Sequence, residues 1–144
     1  MADQRVLLIT ANSNLASAAA RTFASAYIPL VTVTACAKFT TQDKPKFILV
    51  LLDMDSLGIA KMSELRSFLA RMRGLSVIAM CDMARTPNRE TVEILATGVN
   101  DVIPNAIDMN LLIAKTKAHL RRLGAGNTAG TDRAAGSWTR GDGI

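Results

Sequence analysis

One stretch, Lys46–Asp55 (KFILVLLDMD), constrains this chain more than any other. Its six consecutive apolar residues, Phe47 to Leu52, leave no polar face, so a strand built from them must be covered on both sides, as in a parallel sheet flanked by helices. The run ends in Asp53, with Asp55 two residues on. A parallel sheet delivers such a carboxylate to the crevice beyond the carboxyl ends of its strands, where open α/β sheets bind ligands. Asp53 is the residue the other segments have to account for.

Four further segments have strand character. Arg5–Ile9 and Ser76–Cys81 are apolar runs of strand length, Pro29–Thr34 is β-branched, and Asn100–Ile103 is a short fifth strand. Helical spacing fills the intervals. Leu15, Ala18, Ala19, Thr22, Phe23 and Ala26 mark one face of a first helix, capped by Asn14 or Ser13, while Ala16, Ala20 and Ala24 keep its other side small. In Ile59–Met72 the residues Met62, Leu65, Leu69 and Met72 face inward, Lys61, Glu64, Arg66, Arg71 and Arg73 outward, and Gly74 closes the helix. Arg89–Thr97 turns Val92, Leu95 and Ala96 inward and stops at Gly98, after a loop punctuated by Pro87. Asp108 caps a last helix reaching Leu123, with Met109, Leu112, Ile113, Thr116 and Leu120 on or beside its core face. Ala35–Lys44 is the weakest segment, because Cys36, Phe39, Thr40 and Thr41 are mediocre helix formers. Five strands alternating with five helices, without an internal repeat, predict an α/β fold with a doubly wound parallel sheet and right-handed connections.

Composition narrows the function. A chain of 144 residues with 49% hydrophobic content suits one domain, read as residues 1–123, followed by a Gly/Ala/Thr-rich tail, 124–144, read as disordered, in which Trp138 is the only large aromatic. A formal charge of +5 favours contact with acidic surfaces without specifying one. Cys36 and Cys81 are 45 residues apart with only His119 to join them, which matches neither a metal spacing nor a disulfide framework. Cys81 and His119 are not placed to form a nucleophilic pair, and the chain contains no glycine-rich phosphate-binding motif. Neither a cofactor, a metal ion nor enzymatic activity is expected. No apolar run approaches the ~20 residues of a membrane span and the start lacks a leader's pattern, so the expected location is cytoplasmic.

The element order, the strand ending in Asp53, the 26-residue step from Tyr27 to Asp53 and the Gly98, Asn100, Asp101 turn resemble the receiver (CheY-like) domains of two-component response regulators, over residues 4–123. Within that family, Leu75–Arg122, above all Val77–Asp82 and Gly98–Ile103, resembles the second, adaptor receiver domain of PleD-type diguanylate cyclases. The resemblance implies a flavodoxin-like (βα)5 sheet in the order 2-1-3-4-5, with Asp53 at the phosphoacceptor position. The rest of the family's site is changed. Thr10 and Ala11 stand where an acidic pair holds Mg2+, Cys81 where a Thr or Ser contacts the phosphoryl group, and Asn105 where a Lys grips it. Ala106 replaces the cis proline, Val102 the switch aromatic and Leu57 a proline after the acceptor.

Phosphoryl transfer needs its equatorial charge neutralised by a metal and a positioned cation. Asp53, the Asp55 carbonyl and the Thr10 hydroxyl make a poor cage for a hard octahedral ion, with Asp82 as a candidate substitute carboxylate. A neutral amide at Asn105 does not replace a point charge. The expected function is therefore a non-catalytic pseudo-receiver that binds a signalling protein, such as a histidine kinase or an output domain, or a second copy of itself, without aspartyl phosphorylation. By resemblance, its fourth helix, fifth strand and fifth helix provide the face, with Glu93, Asp101, Lys115, Lys117 and Arg121 on it and Asp101 opposite Lys115 or Lys117 across a two-fold axis. The alternatives are a residual phosphoacceptor with a remodelled site, and a weak electrostatic contact of the last helix with nucleic acid, for which recognition helices and stacking aromatics are lacking.

Overall fold

A computed structural model describes residues 5–59, 62–84 and 88–128. Five parallel strands, β1 (Arg5–Ile9), β2 (Leu30–Val33), β3 (Phe47–Asp53), β4 (Ser76–Cys81) and β5 (Asp101–Pro104), form one sheet in the order 2-1-3-4-5. The helices are α1 (Ser13–Ser25), α2 (Met62–Arg71), α3 (Asn88–Ala96) and α4 (Met109–Thr128). Lys61, Pro87, Trp138 and the rest of the tail beyond residue 128 lie outside the described residues. The chain divides into two units, Met1–Ile113 and Ala114–Ile144; the first contains the whole sheet.

The order follows from the handedness of the connections. The path from β1 to β2 runs towards one edge, and every later connection runs towards the other, so right-handed crossovers place α1 on one face and the later connections on the opposite one. Strand periodicity matches this arrangement. Leu7, Ile9, Val50, Leu52, Val77 and Ala79 join Leu65, Phe68, Met72 and Ile94 in a single core cluster, while Val6 and Leu8, fully buried, turn the other way.

Three local expectations are corrected. The first helix is capped by Asn12, whose Oδ1 accepts from Asn14 N at 3.0 Å and Leu15 N at 3.2 Å; Ser13 and Asn14 are already helical. The second connection is not an α-helix but two 3-10 turns, Cys36–Lys38 and Thr41–Lys46. Pro45 removes a donor there, and Arg71 Nη2 reaches over from α2 to donate to Cys36 O at 3.2 Å and Phe39 O at 3.1 Å. In α3 the buried residue is Ile94, at 3% exposure, whereas Val92 and Leu95 are 65% and 45% exposed. Ile94 is one residue from Leu95, a rotation of ~100° about the helix axis, and the core takes the Thr91–Ile94–Thr97 side. The chain then leaves α3 through Gly98 at φ +112°, a conformation that strains any residue with a Cβ.

Elsewhere the elements match the sequence reading closely. Gly74, at φ +96°, follows α2 as expected. Asn100 precedes β5 rather than opening it, and ties it to β4: its backbone N donates to Val77 O at 2.7 Å while its Oδ1 accepts from Val77 N at 2.8 Å. Asp108 Oδ2 accepts from Leu111 N at 3.2 Å, capping α4. The helix continues to Thr128, past Leu123.

The Asn12 cap yields a direct test. Asn12→Ala should cost about 1 kcal/mol of stability, lowering the thermal midpoint by roughly 3 °C, whereas Asn14→Ala at its exposed position should leave the midpoint nearly unchanged.

Candidate functional site

The register of β1 with β3 pairs Ile9 with Leu52, so the residues that follow, Thr10 and Asp53, emerge side by side at the carboxyl end of the sheet. Both are 2% exposed. Thr10 Oγ1 donates to Asp53 Oδ2 at 2.7 Å. A threonine hydroxyl has one proton, and this bond uses it, so Ser56 is the donor in the 3.1 Å contact between Thr10 Oγ1 and Ser56 Oγ. Ser56 Oγ in turn accepts from Ala11 N at 3.0 Å, and Asn12 N donates to Thr10 Oγ1 at 3.0 Å. The result is a closed polar knot joining the ends of β1 and β3. Asp53 Oδ1 has no hydrogen-bond partner among the described residues.

A second knot lies beside it. Asp55, exposed on the turn after β3, accepts at Oδ2 from Asn105 Nδ2 at 2.9 Å and from Asp82 N. Asn105 N donates to Cys81 O at 2.8 Å, fixing the loop after β5 against the end of β4. The Asn105 amide is thus engaged with Asp55. Asp82 Oδ1 accepts from Ala84 N at 3.1 Å, within its own loop.

Cys81 is buried, with its Sγ 3.8 Å from Met54 Sδ. Burial, reinforced by the negative charges of Asp55, Asp53 and Glu90, pushes its thiol up to about 11 from 9.0, so it is protonated at neutral pH and a poor nucleophile. Among the described residues no cluster of three or more His, Cys, Asp or Glu groups is arranged to hold a metal ion, and no helix is long and apolar enough to cross a membrane.

The structure therefore brings Thr10, Ala11 and Asp53 together in one knot and Asp55, Asp82, Cys81 and Asn105 in its neighbour. The sequence reading missed Ser56, the hydroxyl that binds the loops after β1 and β3. Its signal was a serine three residues after Asp53 in a turn, the position from which a short hydroxyl reaches neighbouring backbone. Of the residues assigned to a partner face, Glu93 is exposed on α3 and Asp101 half-buried on β5; on α4, Lys117 and Arg121 are exposed and Lys115 half-buried. His119, on the same helix, is 8% exposed, with Arg122 Nη2 2.7 Å from its Nδ1.

No protein-family model and no curated protein matches the sequence. Solved structures do match in shape. A signal receiver domain of a putative Luxo repressor protein from Vibrio parahaemolyticus aligns with TM-score 0.72 at 18% identity, covering 88% of this chain and 97% of that one. A CheY-like response regulator receiver domain protein from Methanospirillum hungatei aligns with TM-score 0.71 at 13% identity, over 87% and 99%. An orphan response regulator of H. pylori aligns with TM-score 0.66 at 20% identity, over 82% and 97%. The chain has the receiver fold.

The receiver fold implies Mg2+ next to the acceptor aspartate, and the residues present do not fit it. Thr10 and Ala11 supply one hydroxyl where two carboxylates are required, and that hydroxyl is donated to Asp53, leaving its oxygen turned to Asn12 N and Ser56. A hard divalent ion gains little from this donor set.

Two predictions follow from the site. Thr10→Val leaves a buried carboxylate without its donor and should cost about 2–3 kcal/mol, read from the urea midpoint, whereas Thr10→Ser should retain most of the stability. For Cys81, the unfolded thiol ionises near 9.0 and the folded one near 11, so the folded state binds more protons between these values. Stability should fall as pH rises through that window, and Cys81→Ala should remove that slope.

Proposed function

We propose that this chain is a non-catalytic pseudo-receiver in two-component signalling, which acts by binding another protein or a second copy of itself and does so without aspartyl phosphorylation. The observation that carries the reading is the 2.7 Å hydrogen bond from Thr10 to Asp53. In an active receiver the acceptor carboxylate must meet a metal ion and a lysine; here its partner is a neutral hydroxyl, and the amide of Asn105 is bound to Asp55. Loss of both positive charges removes the stabilisation that phosphoryl transfer depends on. The likeness of residues 75–122 to the adaptor receiver of PleD-type cyclases supports the same conclusion, as do the receiver and response-regulator structures that share the fold.

The partner face is assigned to α3, β5 and α4. Val92 and Leu95, expected inward, are instead exposed beside Glu93, and Leu111 in the first turn of α4 is 49% exposed. Apolar side chains supply the affinity at such faces, while charged residues such as Glu93, Asp101, Lys115, Lys117 and Arg121 select and orient the partner. Asp101 opposite Lys115 or Lys117 of a second copy is the proposed two-fold pairing. The free Oδ1 of Asp53 is the observation that favours the rival reading of a residual phosphoacceptor.

Sedimentation velocity separates the two. Wild type and Asp53→Asn should self-associate equally, with no response to acetyl phosphate, and Val92→Glu combined with Leu95→Glu should shift association at least about tenfold towards monomer. Association that appears only with acetyl phosphate and an intact Asp53 would return the phosphoacceptor reading.

A further inference from the structure

The connection that fails to form an α-helix leaves a cavity against β1, β2 and the start of β3. Its volume is about 250 Å3. Leu7 and the half-buried Val31 and Val33 contribute from β1 and β2, and Phe39 and Phe47 contribute from the 3-10 segment and the start of β3. The two phenyl rings, 5.6 Å apart between centroids and tilted by 60°, pack on each other at 2% and 9% exposure, so it is their edges that reach the lining beside Val31 and Val33. The lining runs along β2 as far as Val33, whose carbonyl accepts from Thr10 N at 3.0 Å, so the cavity reaches from the start of β3 to the strand end beside Asp53's hydrogen-bond partner.

Its charge is one-sided. Arg5, Lys38 and Lys46 line it against a single carboxylate, Asp43. That carboxylate is already engaged: its Oδ2 accepts from Thr40 N at 3.0 Å and Thr40 Oγ1 at 3.1 Å, and Lys46 Nζ lies a loose 3.9 Å from its Oδ1. The lining therefore has two cations in excess of its one acid, above an apolar and aromatic interior. Small-molecule sites share this composition, a mostly apolar concavity with a few charged groups that fix orientation, and their volumes begin at about 300 Å3. A cavity slightly smaller suits a single ring rather than a nucleotide or a long chain.

We propose that this cavity binds a small aromatic carboxylate, with its ring against the edges of Phe39 and Phe47 and its charge among Arg5, Lys38 and Lys46. Arg71, by holding the Cys36 and Phe39 carbonyls, positions the aromatic edge from α2.

The test is a titration of the 15N-labelled full chain with phenylacetate, phenylacetamide and inorganic phosphate, followed by backbone amide shifts. Phenylacetate should give saturable shifts at Val31, Val33, Phe39 and Phe47 with a dissociation constant of about a millimolar or below, as expected for a ligand of this size. Phenylacetamide, and phenylacetate on Lys38→Ala with Lys46→Ala, should bind about fivefold more weakly, because exposed charge pairs contribute modestly. Phosphate should shift none of these amides. Val33→Phe, which fills the cavity, should abolish the phenylacetate response. Failure to saturate by about 10 mM, equal affinity for the amide, or an equal response to phosphate would overturn the assignment.

Discussion

Everything at the rim of this sheet depends on how one buried carboxylate is satisfied. Asp53 sits at the end of an all-apolar strand with almost no solvent contact, and an ion held there without a partner is costly. The chain meets this with a hydroxyl: Thr10 donates to Asp53, Ser56 donates to Thr10, and Ala11 N and Asn12 N donate into the same pair of oxygens. These bonds hold the loops after β1 and β3 together without a metal ion. The hydroxyl that makes Asp53 tolerable also stands where receiver domains carry metal-binding acids, and the proposed phosphorylation-independent function rests on that coincidence.

Much of this was legible in the sequence, and the reasons differ by element. The runs 5–9, 47–53 and 76–81 gave their strands to the residue, because strands buried on both faces have no competing periodicity. Asp53 was readable from the apolar strand it ends, whereas Thr10 and Asn105 were named only through the resemblance to receiver domains. The inward side of α3 was not readable: Ile94 and Leu95 are adjacent, and tertiary packing alone chooses between them. Ser56 was missed although its place three residues after Asp53 in a turn was a signal, because which neighbours its hydroxyl reaches is decided by the approach of the loop after β1. The weak helix former at 35–44 was recognised as weak, but that it would become two 3-10 turns required Pro45 and Arg71 to act together.

Two local departures from regular strand-and-helix packing have opposite character. At the carboxyl end, burial first and the neighbouring acids second push the Cys81 thiol up, and Asp55 is held by neutral donors. Along β2, the two 3-10 turns of the second connection leave Val31 and Val33 half-buried beneath a cationic margin. A third departure, the exposed Val92 and Leu95, gives α3 an apolar surface that the core does not use.

The most direct test of the central claim is the response of backbone amides around Asp53 to beryllofluoride with millimolar Mg2+. The account predicts silence in the wild type, and shifts once Thr10→Asp, Ala11→Asp and Asn105→Lys are combined to rebuild the metal and lysine positions. Shifts in the wild type that disappear in Asp53→Asn would contradict it, because they would mean that the Thr10 hydrogen bond yields to an acyl-phosphate mimic and that Asp53 is still a working acceptor.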